Sequence, residues 1–418
     1  MKINVKNRGG FIVFLCSLVY FVSYFARKDF AAVMAAMLSE NIIDKTIGGF
    51  IGMGLFAAYG VGQLVSGYLG DRIKPRTLLI LGLSTTAFCN FLMPWIPTPG
   101  LMIPVWALNG FAQAMLWPPI VRILADNLEG EKFVLSNLVV TSSAHVSTII
   151  LYIFVPVCLK FYSWETVFFA ASILACAALI VFVVSMGVLV SGDGKGKAPV
   201  KQERTGDGFG ALFLRAGMIP IFFAIVCMGF LRDGIESWLP TLYSEAFERA
   251  VEESILLSAI LPLFSILSIL VITVLHKYRL FKNESRGVMI LFGIAAVFCL
   301  LMSVFINFES AVLRIVCLVL AALVCSCMHA VNFLYISCLP ARFKRYGRAA
   351  TASGFSNACT YVGAAISMYG IGALSELVGW SANVLVWMVI ALVGAVCSII
   401  SMKKYSEFIK EGSDASRD

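Results

Sequence analysis

Apolar residues run along this chain in stretches too long for the strands or core helices of a soluble domain, and polar residues are confined to short gaps between them. Twelve such stretches can be marked: residues 11–37, 47–70, 77–96, 101–125, 133–159, 165–190, 217–244, 254–275, 286–306, 311–340, 348–376 and 381–402. Each has about the length, ~20 residues, that a helix needs to cross a bilayer. Backbone amides in hydrocarbon must be satisfied within their own segment, so spans of this length are predicted to be helices. Six of them precede residue 191 and six follow residue 216, and the segment from Ser191 to Gly210 is polar, glycine-rich and basic, the composition of a linker. The pattern therefore predicts an all-α membrane protein of about 12 transmembrane helices. Its six-helix halves occupy residues 1–190 and 217–403, with a linker over 191–216 and a tail over 404–418.

Composition agrees. Of 418 residues, 60% are hydrophobic and 13% charged, and the mean hydropathy is +0.90. A soluble domain carries about 25% charged residues. The net charge of +8 would suggest nucleic acid in a soluble protein. Here the basic residues sit in the gaps between spans, where they set topology. The twelve cysteines fall almost wholly inside apolar stretches, and the closest spacing, Cys325-Ser326-Cys327, is neither a zinc nor a thioredoxin pattern. They read as small packing residues, and no metal or cofactor is expected. Lys2, Lys6 and Arg8 ahead of Phe11 imitate a signal peptide, but the apolar run reaches Met37 and is too long for a signal core. No Walker A sequence, His-Glu-x-x-His or Gly-x-Ser-x-Gly elbow occurs, so an enzyme is not expected.

Lysine and arginine fix the expected orientation. With the N-terminus inside, the cytoplasmic segments hold 25 of the 32 Lys and Arg. The external loops hold only Lys45, Lys160 and Arg249. Both termini and the linker are then cytoplasmic, in the plasma (inner) membrane.

Charges within the spans carry the chemistry. Arg27, Lys28 and Asp29 interrupt the first span; Arg232, Asp233 and Glu236 interrupt the seventh. A charge near the bilayer centre costs at least ~2.5–3.5 kcal/mol on insertion scales, so such residues normally face a water-filled cavity or a partner. Arg27 and Arg232 are 205 residues apart, close to half the chain, and each lies in the first helix of its half. Duplicated halves with a binding site at the repeat interface are a known transporter design. A guanidinium binds phosphate through a planar fork and cannot shed its charge. Tyr20, Tyr24 and Arg27 share one helix face. His145, mid-span in the fifth helix, can add a proton near neutral pH. Plainer roles are open too: Glu236 is spaced i, i+4 from Arg232 and can neutralise it, His145 can be a packing residue, and Arg314 can snorkel to the interface. The loop Gly67-Tyr-Leu-Gly-Asp71-Arg72-Ile-Lys-Pro-Arg76 reads either as a conformational latch, with Asp71 pairing across the cytoplasmic side, or as an ordinary basic topogenic loop.

At Gly67, Asp71, Arg72 and Arg76 the chain resembles the loop motif of the major facilitator superfamily, with Pro75 in place of the usual second glycine. That resemblance implies a fold of two six-helix halves and alternating access. Within the superfamily the sequence is similar to the organophosphate:phosphate antiporters, the exchangers of glycerol-3-phosphate and hexose phosphates. The matching blocks are Tyr20-Phe-Val-Ser-Tyr24-Phe-Ala-Arg27-Lys28, Ala58-Tyr59-Gly60, Trp117-Pro118-Pro119 to Arg122, Ala144-His145, Leu231-Arg232 to Thr241, and Gly354-Phe355 to Gly363. The resemblance implies that Arg27 and Arg232 clamp the phosphate and that His145, Tyr20, Tyr24, Tyr59 and Tyr361 surround it. Gln63 stands where the glycerol-3-phosphate exchanger has a lysine, and Ser237 stands where it has an acid, with Glu236 one position earlier. The expected function is exchange of an organophosphate for inorganic phosphate by a monomer whose partners are that small anion and the lipid bilayer, with no nucleic acid. A proton-coupled transporter of another organic anion and a non-transporting sugar-phosphate sensor are the alternatives.

Overall fold

The computed structural model describes residues 8–70, 73–190, 209–277 and 283–414, and all regular structure among them is helical. In chain order the helices are α1 (Arg8–Ser39), α2 (Lys45–Gly70), α3 (Pro75–Leu92), α4 (Pro99–Gln113), α5 (Trp117–Asn127), α6 (Gly130–Phe161) and α7 (Trp164–Val190). There follow α8 (Phe209–Arg215), α9 (Met218–Ala246), α10 (Val251–Leu257), α11 (Ile260–Lys277), α12 (Glu284–Phe305), α13 (Ala311–Asn332), α14 (Leu339–Arg342) and α15 (Ala349–Asp414). Ten segments are long and apolar enough to cross a membrane. Two further spans come from local breaks. The fourth span is divided between α4 and α5, because Trp117-Pro118-Pro119 opens a new helix where missing amides cost nothing. α15 holds two spans, and the chain turns between them at Gly379, whose φ of 77° suits a residue without Cβ. Twelve spans among the described residues match the hydropathy pattern to within a few residues at most ends. The outer faces stay apolar: Ile173, Ile180 and Val184 on α7 and Leu263, Leu267 and Leu270 on α11 are exposed, as lipid contact requires.

The helices divide into two units. The first comprises Met1–Val200 with Ala250–Pro262, and the second Lys201–Arg249 with Leu263–Asp418. In the first, α1 packs on α6 and α7, α2 on α4, and α3 on α7, while α10 lies against α6. Ile12, Leu15 and Val19 of α1 meet Leu79 and Leu83 of α3, Ile120 and Leu124 of α5, and Val140 of α6 in one core. Two serines of α6 hook it onto α1: Ser143 Oγ donates to the Ser17 carbonyl at 3.1 Å and Ser147 Oγ to the Phe21 carbonyl at 2.6 Å.

In the second unit, α9 packs on α15 and α13, and α12 on α15 and α13. The α9–α15 crossing depends on glycine. A Cβ at Gly229 would collide with the Thr360 carbonyl, and one at Gly363 with the Val226 carbonyl, so only bare backbone admits this approach. Trp238 Nε1 donates across the same crossing to the Met368 carbonyl at 3.1 Å. At one end of the unit the fully buried Glu284 accepts from Arg342 Nε at 3.0 Å and Nη2 at 2.7 Å. Arg314, expected to reach for the interface, lies with its guanidinium 5.8 Å from the ring centre of Phe247.

Candidate substrate-binding site

In the first unit the polar residues converge on α1. Arg27 is 7% exposed, so its charge is held inside the span. Its guanidinium carbon sits 4.1 Å from the ring centre of Tyr24, one turn earlier, and 5.1 Å from that of Tyr59 on α2. Two aromatic faces stabilise a cation by roughly 0.5–2 kcal/mol each without consuming its N–H donors. Tyr20 continues the face. Its hydroxyl lies 3.5 Å from that of Tyr24, and its ring packs 4.7 Å from Trp117, the first residue of the Trp-Pro-Pro block. The helix break at that block thus supplies a wall for the tyrosines.

Behind Arg27 lies a neutral polar network. Asn90 of α3 and Asn109 of α4 both donate to the Ala26 carbonyl, at 3.1 and 3.0 Å. Ser23 Oγ donates to Gln113 Oε1 at 2.5 Å, and Gln113 Nε2 to Thr86 Oγ1 at 3.3 Å. These bonds fix the backbone immediately before Arg27 against two other helices. Asp29 is fully buried; its Oδ1 accepts from the Phe30 amide at 2.8 Å, and its Oδ2 has no hydrogen-bond partner among the described residues. Gln63 directs its Nε2 to the Ala114 carbonyl at 3.4 Å, at the break between α4 and α5. His145 is half-buried on α6, between the two serines that tie that helix to α1. Arg76 Nη2 donates to the Val183 carbonyl of α7 at 3.3 Å. Gly67 lies in α2, and Asp71 and Arg72 of the same motif lie outside the described residues.

The second unit holds a more highly charged cluster. Arg232, 8% exposed, donates through Nη1 to Asn332 Oδ1 at 2.8 Å and through Nη2 to Asp233 Oδ2 at 2.7 Å. Tyr361 of α15 and Glu236 lie within electrostatic reach of the same guanidinium. Glu236, which the i, i+4 spacing makes a candidate neutraliser of Arg232, also meets a different helix: His329 Nε2 of α13 lies 2.7 Å from its Oε1. A guanidinium has five N–H donors, so the two bonds to Asn332 and Asp233 leave capacity for an incoming anion. Sequence reasoning passed over Asn90, Asn109, Gln113, His329 and Asn332. For the last two the signal was present, since a histidine and an asparagine at i, i+3 in an apolar span share a helix face.

The helical order has a counterpart among known proteins. The family model described as Major Facilitator Superfamily matches residues 16–368. The chain belongs to this superfamily. Among its relatives is the "Probable hexose phosphate transport protein" of Chlamydia trachomatis serovar D, 35% identical over 107 residues, which are 26% of this chain and 24% of that protein. The "Glycerol-3-phosphate transporter" of Bacillus subtilis strain 168 is 27% identical over 256 residues, 55% of this chain and 56% of that one. The chain thus spans about a quarter of the first relative's length and just over half of the second's. In fold, it superposes on a POT family transporter solved with 5-aminolevulinic acid at a TM-score of 0.73 and 14% identity, covering 94% of this chain and 96% of that one. Membership of the superfamily makes the chain a multi-span membrane protein of a transporter family, and it accounts for the division into two helical units.

Proposed function

We propose that the chain exchanges an organophosphate for inorganic phosphate by alternating access, with Arg27 and Arg232 binding the phosphoryl group. The observation that carries this reading is the pair of arginines held inside the first and ninth helices, α1 and α9, each more than nine-tenths buried. A cation inside a span is costly to retain and marks a candidate site; at Arg232, Asp233 offsets part of that cost and further N–H donors remain for an anion. The relatives named for hexose phosphate and glycerol-3-phosphate support the choice of a phosphate ester over a carboxylate. Tyr20, Tyr24 and Tyr59 orient the first guanidinium; Asn332 and Tyr361 accompany the second. Gln63, held on the Ala114 carbonyl, supplies no second cation in α2, which favours an organic moiety recognised by neutral hydrogen bonds. The protein acts as a monomer in the plasma membrane, with both termini cytoplasmic.

The test is counterflow. Purified protein in liposomes preloaded with glucose 6-phosphate, glycerol 3-phosphate or inorganic phosphate should take up labelled external phosphate. Empty liposomes, or ones loaded with a dicarboxylate, should not drive uptake. Uptake driven by the dicarboxylate and by none of the three phosphates would reject the reading.

A further inference from the structure

Two tiers of polar side chains cross the seam between α1, α3 and α4. In the tier of Ser23, Thr86 and Gln113 the side chains bond to one another, and none of the three has a buried atom without a partner. The next tier, one turn further along α1, does not close. Asn90 and Asn109 both give Nδ2 to the Ala26 carbonyl, at 3.1 and 3.0 Å, and Asn90 gives it also to the Thr86 carbonyl at 2.9 Å. Those bonds fix which way each amide faces. Each Oδ1, an acceptor only, is left buried with no donor among the described residues. The Phe30 amide, which meets the Ala26 carbonyl in the regular i→i−4 pattern of α1, also donates to Asp29 Oδ1 at 2.8 Å. All three side chains are therefore tied to one backbone hydrogen bond. Asp29 Oδ2 is the third buried oxygen there without a donor. Asp29, Asn90 and Asn109 are each 0% exposed, and no lysine or arginine forms an ion pair with Asp29 among the described residues.

A buried acceptor without a donor is costly, and a buried charge without a partner is more so. Water can offer two hydrogens to the three oxygens but leaves the carboxylate's charge unbalanced. A monovalent cation answers both demands: it takes lone pairs from all three oxygens and balances the one carboxylate. Oxygen donors suit hard cations. A single carboxylate, with no group of three His, Cys, Asp or Glu placed to hold a metal among the described residues, speaks against a divalent or transition metal. Helices joined here by direct hydrogen bonds leave room for a small ion only. The neighbouring cations are turned away round the helix, Arg27 by about 200° and Lys28 by about 100°, and Arg27 lies on Tyr24 and Tyr59. We propose that Asp29, Asn90 and Asn109 form a sodium-binding site inside the first unit, with Asp29 Oδ2 and the two asparagine Oδ1 atoms as ligands. Sodium there ties α3 and α4 to α1 at the backbone that carries Arg27.

Two measurements on the purified full-length protein in detergent test it. No phosphate is present, so neither depends on the proposed function. The first is thermal unfolding in sodium, potassium and choline chloride at equal ionic strength, which cancels general screening. A ligand bound only by the folded protein raises its melting temperature. The wild type should therefore melt several degrees higher in sodium than in potassium or choline. Asp29→Asn should melt in choline at or above the wild-type temperature and gain nothing from sodium. Loss of the sodium gain with the choline baseline intact separates a ligand from a packing residue. The second measurement is retention of radioactive sodium in equilibrium dialysis. The wild type should hold one ion per protein, Asn109→Ser should bind it roughly tenfold more weakly or worse, and Asp29→Asn should hold none. Should Asp29→Asn not fold, Asn109→Ser carries both measurements. Equal wild-type melts in the three salts, or no sodium retained by the wild type, overturns the site; water or a proton on Asp29 then serves the free oxygens. A sodium gain that survives in Asp29→Asn, or one matched by potassium, overturns it as well.

Discussion

Arg27 and Arg232 are buried to the same degree but in different company. Arg27 lies against the aromatic faces of Tyr24 and Tyr59, whereas Arg232 gives two donors to Asn332 and Asp233. The ring rather than the hydroxyl of Tyr24 faces the first guanidinium. Tyr24→Phe is therefore expected to change phosphate affinity by less than Tyr24→Ala, which removes a contact of about 1 kcal/mol, roughly fivefold in binding; equal losses in the two variants would contradict this. Asp29 is a different case. A buried carboxylate with one unpartnered oxygen destabilises, and its neutral isostere removes that charge. Asp29→Asn is expected to unfold at the same temperature or higher in a sodium-free detergent melt; a fall of several degrees would show that the carboxylate holds an ion pair. The arginines and tyrosines were legible in the sequence because a charge in an apolar span is conspicuous and helical spacing gives its face. The asparagines behind Arg27 were not, because single amides in a span are common and their partner, the Ala26 carbonyl, is known only once α3 and α4 are placed beside α1.

Among elements, the long helices follow from the bilayer's thickness, which is why hydropathy located nearly all of them. What it missed is local. The interruption at Ala114–Leu116 ahead of Trp117-Pro118-Pro119, the division of the eighth span into α10 and α11, and the π-helical stretch Phe333–Cys338 before Pro340 depend on individual amides. Each is shorter than the window that hydropathy averages over. The closeness of α9 to α15 has the same character: Gly229 and Gly363 looked like ordinary small residues in apolar runs. A methyl added to either must displace backbone, at a cost typically of 1–3 kcal/mol. Gly229→Ala and Gly363→Ala should each lower the unfolding temperature of the purified protein. Gly293→Ala, where an added Cβ meets nothing within 4 Å, should not. A melt unchanged in the first two would mean that the crossing tolerates a side chain.

For the molecule as a whole, superfamily membership accounts for two helical units, and the distribution of basic residues predicts their orientation. A cysteine introduced as Gly194→Cys in the linker should be inaccessible to a membrane-impermeant reagent applied to intact cells, and Glu252→Cys should be labelled. The reverse pattern would invert the topology. The Gly67–Arg76 loop is expected to govern switching rather than binding, so Asp71→Asn should slow counterflow while leaving phosphate affinity within a few-fold. Binding itself is what the proposed function assigns to the two arginines. Charge-assisted hydrogen bonds contribute about 1.5–3 kcal/mol each, and lysine keeps the charge but not the bidentate fork. Equilibrium binding of labelled phosphate to folded Arg27→Lys and Arg232→Lys tests this most directly. Each is expected to bind roughly tenfold to a hundredfold more weakly than the wild type, at about 1.4 kcal/mol per factor of ten. Wild-type affinity in both would mean that Arg27 and Arg232 serve helix packing, Arg232 as the partner of Asp233, and that the anion is held elsewhere.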